Sequence, residues 1–242
     1  MIASDSPFKN LPRNLDRKQA FFLDGLRHAV EICDLAYQRL TSGIAQLALT
    51  HGKVPQPDSY AVYFLDAWAF VDAVDRFRCL WAAQPNAASV PSPHTPKALQ
   101  TQLSAIRRVR NIADHIAQRA DQSISINAAA LGILAWVTHV SDSPLVAKTC
   151  LIRPGHANGT FNGHFSIPQG THHFVNGCTN VRLHAGNDFS DLTEAYKIIE
   201  DTVAYAEKVL RIEFSKAEYA PAAGSDMFAI ADLDFDAHGD AA

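Results

Sequence analysis

The chain has 242 residues, 48% of them hydrophobic and 19% charged, with a formal net charge of −4. That length and balance suit a globular protein with a full core in one domain or one and a half. The negative charge excludes a protein that coats nucleic acid nonspecifically, because such binding needs many Lys and Arg set against phosphates.

Met1 to Asp16 contains no apolar run of signal-peptide length, and the longest uncharged stretch, Gln122 to Ser141, carries Ser, Asn, Thr and His. Neither export nor a membrane segment is expected. Cys33, Cys79, Cys150 and Cys178 form no Cys-x-x-Cys pair, and read as reduced, core-packed thiols of a cytoplasmic protein. Asn158-Gly159-Thr160 reads as a turn.

From Arg17 to about Thr50, the apolar residues Leu26, Val30, Cys33, Tyr37, Leu40, Ile44 and Leu47 alternate steps of four and three, which predicts one long helix. Gly52, Pro55 and Pro57 end it. A second helix is expected from near Asp58, with Tyr60, Phe64, Ala67, Val71, Val74 and Trp81 in the same rhythm and Arg78 at a core position. Asp66, Asp72, Asp75 and Arg76 lie on it as rim charges, unless one of the carboxylates reaches Arg110 and orients it. Gln84 to Pro96 is a proline-rich loop.

A third helix is expected over Pro96 to Asp121, with Thr95 as cap and Pro96 in its first turn. At about 100° per residue, Val109, Ile112, Ala113, Ile116 and Ala120 share one side. Arg107, Asn111, Asp114, His115 and Gln118 share the other, with Arg110 on the boundary.

The hydrophobic period then drops to two. Leu131 to Val140, Val146 to Ile152, Thr160 to Ile167, Thr171 to Val175 and Cys178 to His184 read as strands, separated by turns that include a tight hairpin at Asn176-Gly177. Short turns between consecutive strands predict an antiparallel meander. His139, His156, His164, His172, His173 and His184 fall in this region, but none has a His or Cys two residues away, so no metal site is expected. Asp191 with Glu194 forms a capping box for a last helix to about Lys216, carrying Leu192, Tyr196, Ile199, Val203, Ala206 and Leu210. Residues 217–242 form an acidic tail. It is either mobile or docked through Met227, Phe228, Ile230, Leu233 and Phe235 while its aspartates cover the basic helix.

The expected architecture is α+β. Residues 1–216 form one domain, a bundle of four principal helices with a small antiparallel sheet inserted over about 122–186. There is no Gly-x-x-x-x-Gly-Lys loop, no Gly-x-Gly-x-x-Gly after a strand and no Gly-x-Ser-x-Gly elbow, which removes the ATPase, dinucleotide-enzyme and serine-hydrolase readings and leaves no cofactor to expect.

Arg110, Asn111 and His115 resemble the Arg-polar-x-x-x-His motif of the HEPN superfamily. The resemblance covers the helices and not the strands. It implies a HEPN-like helical bundle, RNA or a nucleotide as ligand, and a metal-independent endoribonuclease, a toxin or defence component with a partner protein to control it. In that chemistry the ribose 2′-hydroxyl attacks the neighbouring phosphate. His115 would serve as acid and base, since histidine exchanges protons near neutrality. Arg110 would hold phosphate oxygens as charge builds on them, with Asn111, Arg107 and Asp114 in support. The alternative is a noncatalytic scaffold using the same polar face.

Five positions at about 100° each place Arg110 and His115 about 140° apart on a straight helix. A homodimer through the Pro96 to Asp121 helix would bring two copies of each to one cleft, as the resemblance implies.

Overall fold

The computed structural model describes residues 1–55, 57–115, 118, 129–142, 145–155, 173–216, 218–220 and 226–231. The expected strand Thr160 to Ile167, the first two residues of Thr171 to Val175, the Asn158 turn, and His156, His164 and His172 lie outside them. So do the end of the expected third helix, with Ile116 and Ala120, and the tail beyond residue 231.

Five α-helices and four strands occur among the described residues. Helix α1 (Arg17–Thr50) begins where the Asp16 carboxylate accepts from the backbone N–H groups of Lys18 and Gln19, and Gly52, at φ 77°, follows its end. Its heptad positions Leu26, Val30, Cys33, Tyr37, Leu40 and Ile44 are buried. Helix α2 (Ala61–Ala83) runs back antiparallel to α1 and buries Phe64, Ala67, Val71, Val74, Arg78 and Trp81. The two pack closely because α1 offers a glycine where α2 offers a ring: a Cβ on Gly43 would lie 2.7 Å from Tyr63. The thiol expectation needs one correction: Cys79 is exposed, because it sits on the outer side of α2.

The expected single helix from Pro96 to Asp121 is two helices. Thr95 caps α3 (Pro96–Gln102), accepting from the Ala98 N–H, and Leu103 (φ −95°, ψ 14°) breaks the run before α4 (Ser104–Asp114). The buried residues explain the break. Leu99, Leu103, Ile106, Val109 and Ile112 sweep about 180° around a straight helix at 100° per residue. A bend at Leu103 lets both ends of that sweep face the core. Helix α4 buries its apolar side against α2 and the sheet, while Arg107, Asn111, Asp114 and His115 are exposed.

Strands β1 (Ile133–Asp142), β2 (Leu145–Ile152), β3 (Cys178–Ala185) and β4 (Asp188–Asp191) form one antiparallel sheet in the order β2-β1-β3-β4. That order departs from the expected meander, since β3 pairs with β1, and among the described residues β2 stands at an edge. The physical reason is burial: Leu134, Trp136, Val181 and Leu183 on the two central strands belong to the shared core. Asn176 and Gly177 form the expected tight turn, with φ 51° and 75° and paired backbone bonds of 2.9 Å between Val175 and Cys178. β4 was not expected from the sequence.

Helix α5 (Leu192–Phe214) starts at Asp191, whose carboxylate accepts from the Glu194 N–H. It is tied to both other layers. Tyr37 of α1 donates to Thr193 Oγ1 at 2.8 Å, the Val181 N–H of β3 donates to the same oxygen, and Tyr37 stacks on Tyr196 at 4.4 Å. Three long helices, a bent helical pair and a four-stranded antiparallel sheet therefore share one core, an α+β architecture with five helices among the described residues. No helix among the described residues is long and apolar enough to cross a membrane.

Candidate functional site

Polar side chains converge where α4 crosses α2. Arg110 Nε donates to Asp72 Oδ1 at 2.9 Å and Nη1 donates to Asp75 Oδ2 at 2.5 Å. The other Asp75 oxygen accepts from Arg78 Nε and Nη2 at 2.9 and 2.6 Å. One buried carboxylate thus bridges two guanidinium groups, a paired arrangement that offsets the cost of removing it from water. Helical spacing on α2 builds it. Asp75 and Arg78 are three residues apart on one face, and Asp72 lies a turn earlier toward solvent.

The resulting cradle orients Arg110 without burying it. The Arg110 side chain is 40% exposed, against 5% for Asp75 and 10% for Arg78. Among the described residues these bonds engage two of its five N–H donors. The hydrogen bond to Asp75, opposed by partial burial, raises the guanidinium pKa further above its ordinary value, so Arg110 is a permanent cation. The carboxylate contact raised in the sequence reading involves two aspartates, Asp72 and Asp75.

The remaining residues of the motif face solvent. His115 is the C-cap of α4 (φ −115°, ψ 21°), and its carbonyl accepts from the Gln118 N–H. Arg107, Asn111 and Asp114 are exposed on the same face. Arg110 and His115 are not joined by a contact: the first points to α2, the second sits beyond the helix end. Arg108 donates to Asp188 at 3.0 Å and ties α4 to the start of β4, a contact the sequence reading missed because β4 was not foreseen. Among the described residues no group of three or more His, Cys, Asp or Glu could hold a metal ion.

Chemically, the site offers one oriented cation, a second exposed arginine at Arg107, an amide at Asn111 and an imidazole at His115, all on the rim of one short helix. Such a set can bind an oxyanion and exchange a proton. No protein-family model, no curated protein and no solved structure matches this chain.

Proposed function

We propose that the protein is a metal-independent endoribonuclease of HEPN type that acts through the rim of α4, and that its helices are a HEPN-like bundle carrying the sheet as an insertion. The observation that carries this reading is the Arg110 guanidinium, held by Asp72 and Asp75 yet 40% exposed, on the helix that also presents Arg107 and Asn111 to solvent and ends at His115. A clamp fixed in advance loses little freedom when it meets a phosphate, and its remaining donors suit the charge that builds during attack by the 2′-hydroxyl. His115 takes the proton from that hydroxyl and returns one to the leaving oxygen. Asn111 and Arg107 position the strand. Asp114, one residue before His115, balances the local positive charge.

One chain separates Arg110 from His115, so the reading includes a homodimer with two copies of each around one cleft. Leu65, 64% exposed, is on the same stripe of α2 as Ala69 and Asp72, and gives that interface an apolar flank beside the clamp. A second reading, a noncatalytic scaffold for a nucleotide or a partner protein, is favoured by the same ion pairs, because they already meet much of the Arg110 charge.

Incubation with single-stranded RNA in EDTA separates the two. Cleavage is expected, with a loss of at least about 100-fold in both Arg110→Ala and His115→Ala while circular dichroism stays unchanged. Cleavage that survives both substitutions removes the motif from the mechanism, and no cleavage by the wild-type protein leaves the scaffold. Light scattering near the single-chain 26.4 kDa would remove the composite cleft.

A further inference from the structure

A groove of about 580 Å³ lies between the edge strand β2, the C-terminal end of α1 and the start of α2. His51, Tyr60, Trp136, Lys148, Cys150 and Arg153 are among its lining residues. No carboxylate lines it among the described residues, although the chain has 25 acidic residues against 21 basic ones.

The strand register shows how. Lys148, Cys150 and Ile152 pair with Thr138, Trp136 and Leu134 of β1, and directly paired residues lie on one side of a sheet. Thr138, Trp136 and Leu134 are buried on the helix-facing side, so Lys148 stands on that side too, yet is exposed at the sheet edge. An inward-facing lysine blunts an edge strand against pairing. Here it also projects its charge over the groove. Tyr60 is half-buried beside them.

Position links the groove to α4. Tyr60, Trp68 and Asp75 lie on one side of α2 at about 100° per residue. Trp68 Nε1 donates to the Leu131 carbonyl at 3.1 Å and holds the approach to β1 against that side. From Tyr60 to Asp72, twelve residues at about 1.5 Å each span about 18 Å, the reach of a short run of nucleotides.

We propose that this groove binds single-stranded RNA on one side of the scissile phosphate, with Lys148 on the backbone and Tyr60 against a base. This inference rests on the reading of the α4 rim as the cleavage site. A strand bound by a backbone cation and a ring is held without dependence on sequence, and reliance on one cation agrees with a protein of net negative charge.

The test uses an end-labelled uridine oligomer of about 12 nucleotides with every 2′-hydroxyl methylated, so that it binds without being cut. Anisotropy is read in EDTA across a salt series. Lys148→Ala is expected to weaken binding about tenfold, as for a lost charge-assisted bond. It should also lower the slope of log affinity against log salt by about 0.7. Lys148→Arg should restore both, and Lys148→Glu should weaken binding further. Wild-type protein that does not bind the oligomer, variants that bind it like wild type, or equally tight binding of duplex DNA would each overturn the proposal. Lys148 is exposed, so these variants are expected to keep the wild-type fold by circular dichroism. Binding that depends on Lys148 in a protein that cuts no RNA would keep the groove and remove the nuclease. Cutting that depends on Arg110 and His115, with Lys148 immaterial to binding, would do the reverse.

Discussion

Arg27 and Arg110 each meet more than one carboxylate among the described residues, and their surroundings differ in one respect. Arg27 on α1 is only 2% exposed and bonds to Asp24, Glu31 and Asp226, the last through two contacts of 2.6 and 3.1 Å. Arg110 also meets two carboxylates but keeps 40% of its side chain in solvent. The first has its charge answered on all sides and no room for a ligand. It pins residues 226–231 to α1 and serves the fold. The second is oriented from one side only. A buttress of carboxylates thus marks a functional arginine only when part of the guanidinium still faces outward.

The largest effect is expected from removing the carboxylate that two arginines share. Asp75→Ala leaves Arg78 buried and unpaired, and breaking a buried pair from one side costs about 3–5 kcal/mol. Arg110 can rehydrate, so the expected loss is near the lower figure, read as a fall in the urea midpoint at unchanged slope. A loss below about 1 kcal/mol would mean that Asp75 is no linchpin. Arg27→Ala comes next, at about 2 kcal/mol. The same substitution at Arg110 costs less, about 1 kcal/mol or under, because Asp75 keeps Arg78 as a partner. RNA cleavage should follow the opposite order, untouched in Arg27→Ala and lost in Arg110→Ala. Loss of cleavage in both would dissolve the contrast.

The smallest effect concerns the strap that Arg27 holds. Hydrogen bonds from Arg27 hold the Asp226 carboxyl below its ordinary range. A carboxylate depressed in the folded state contributes above its unfolded value and loses that contribution as pH falls through the folded one. The strap should therefore stay in place at neutral pH and detach only in acid below the ordinary carboxylate range. Met227 reports on it, since the chain has 2 methionines and the other is Met1. Its methyl resonance should move with acidification in the wild-type protein. In Asp226→Asn it should rest near the detached position at every pH. A resonance that ignores pH would show that Asp226 does not anchor this segment. It also bears on the tail reading: Asp226 covers α1 rather than the basic helix, and Met227 and Phe228 are each 90% exposed.

Much of the helical layer was legible in the residues. Steps of four and three on Leu26 to Ile44 and on Phe64 to Trp81 can bury only one side of a helix, so their packing followed from spacing. Thr95, Asp191 and Asn176-Gly177 act on backbone groups within a few positions, and local chemistry is what a sequence states directly. The polar rim of α4 was equally readable, and Arg107, Asn111, Asp114 and His115 are exposed as their spacing requires.

What escaped depended on contacts between distant segments. The bend at Leu103 arises because residues on both sides of it must reach one core, a demand set by α2 and the sheet and not by any helix breaker in the run Thr101 to Ser104. The strand order was hidden because alternation tells which side a residue faces but not which strand lies next to it. The selection of Asp72 and Asp75 as partners of Arg110 was beyond periodicity for the same reason. Three carboxylates on α2, those of Asp66, Asp72 and Asp75, had similar claims, and only the crossing with α4 chose between them. Local bonding and side-chain period were therefore written in the chain. Strand partners, helix bends and the pairing of charges 35 and 38 positions apart came only with the tertiary fold, because their energies depend on which surfaces meet.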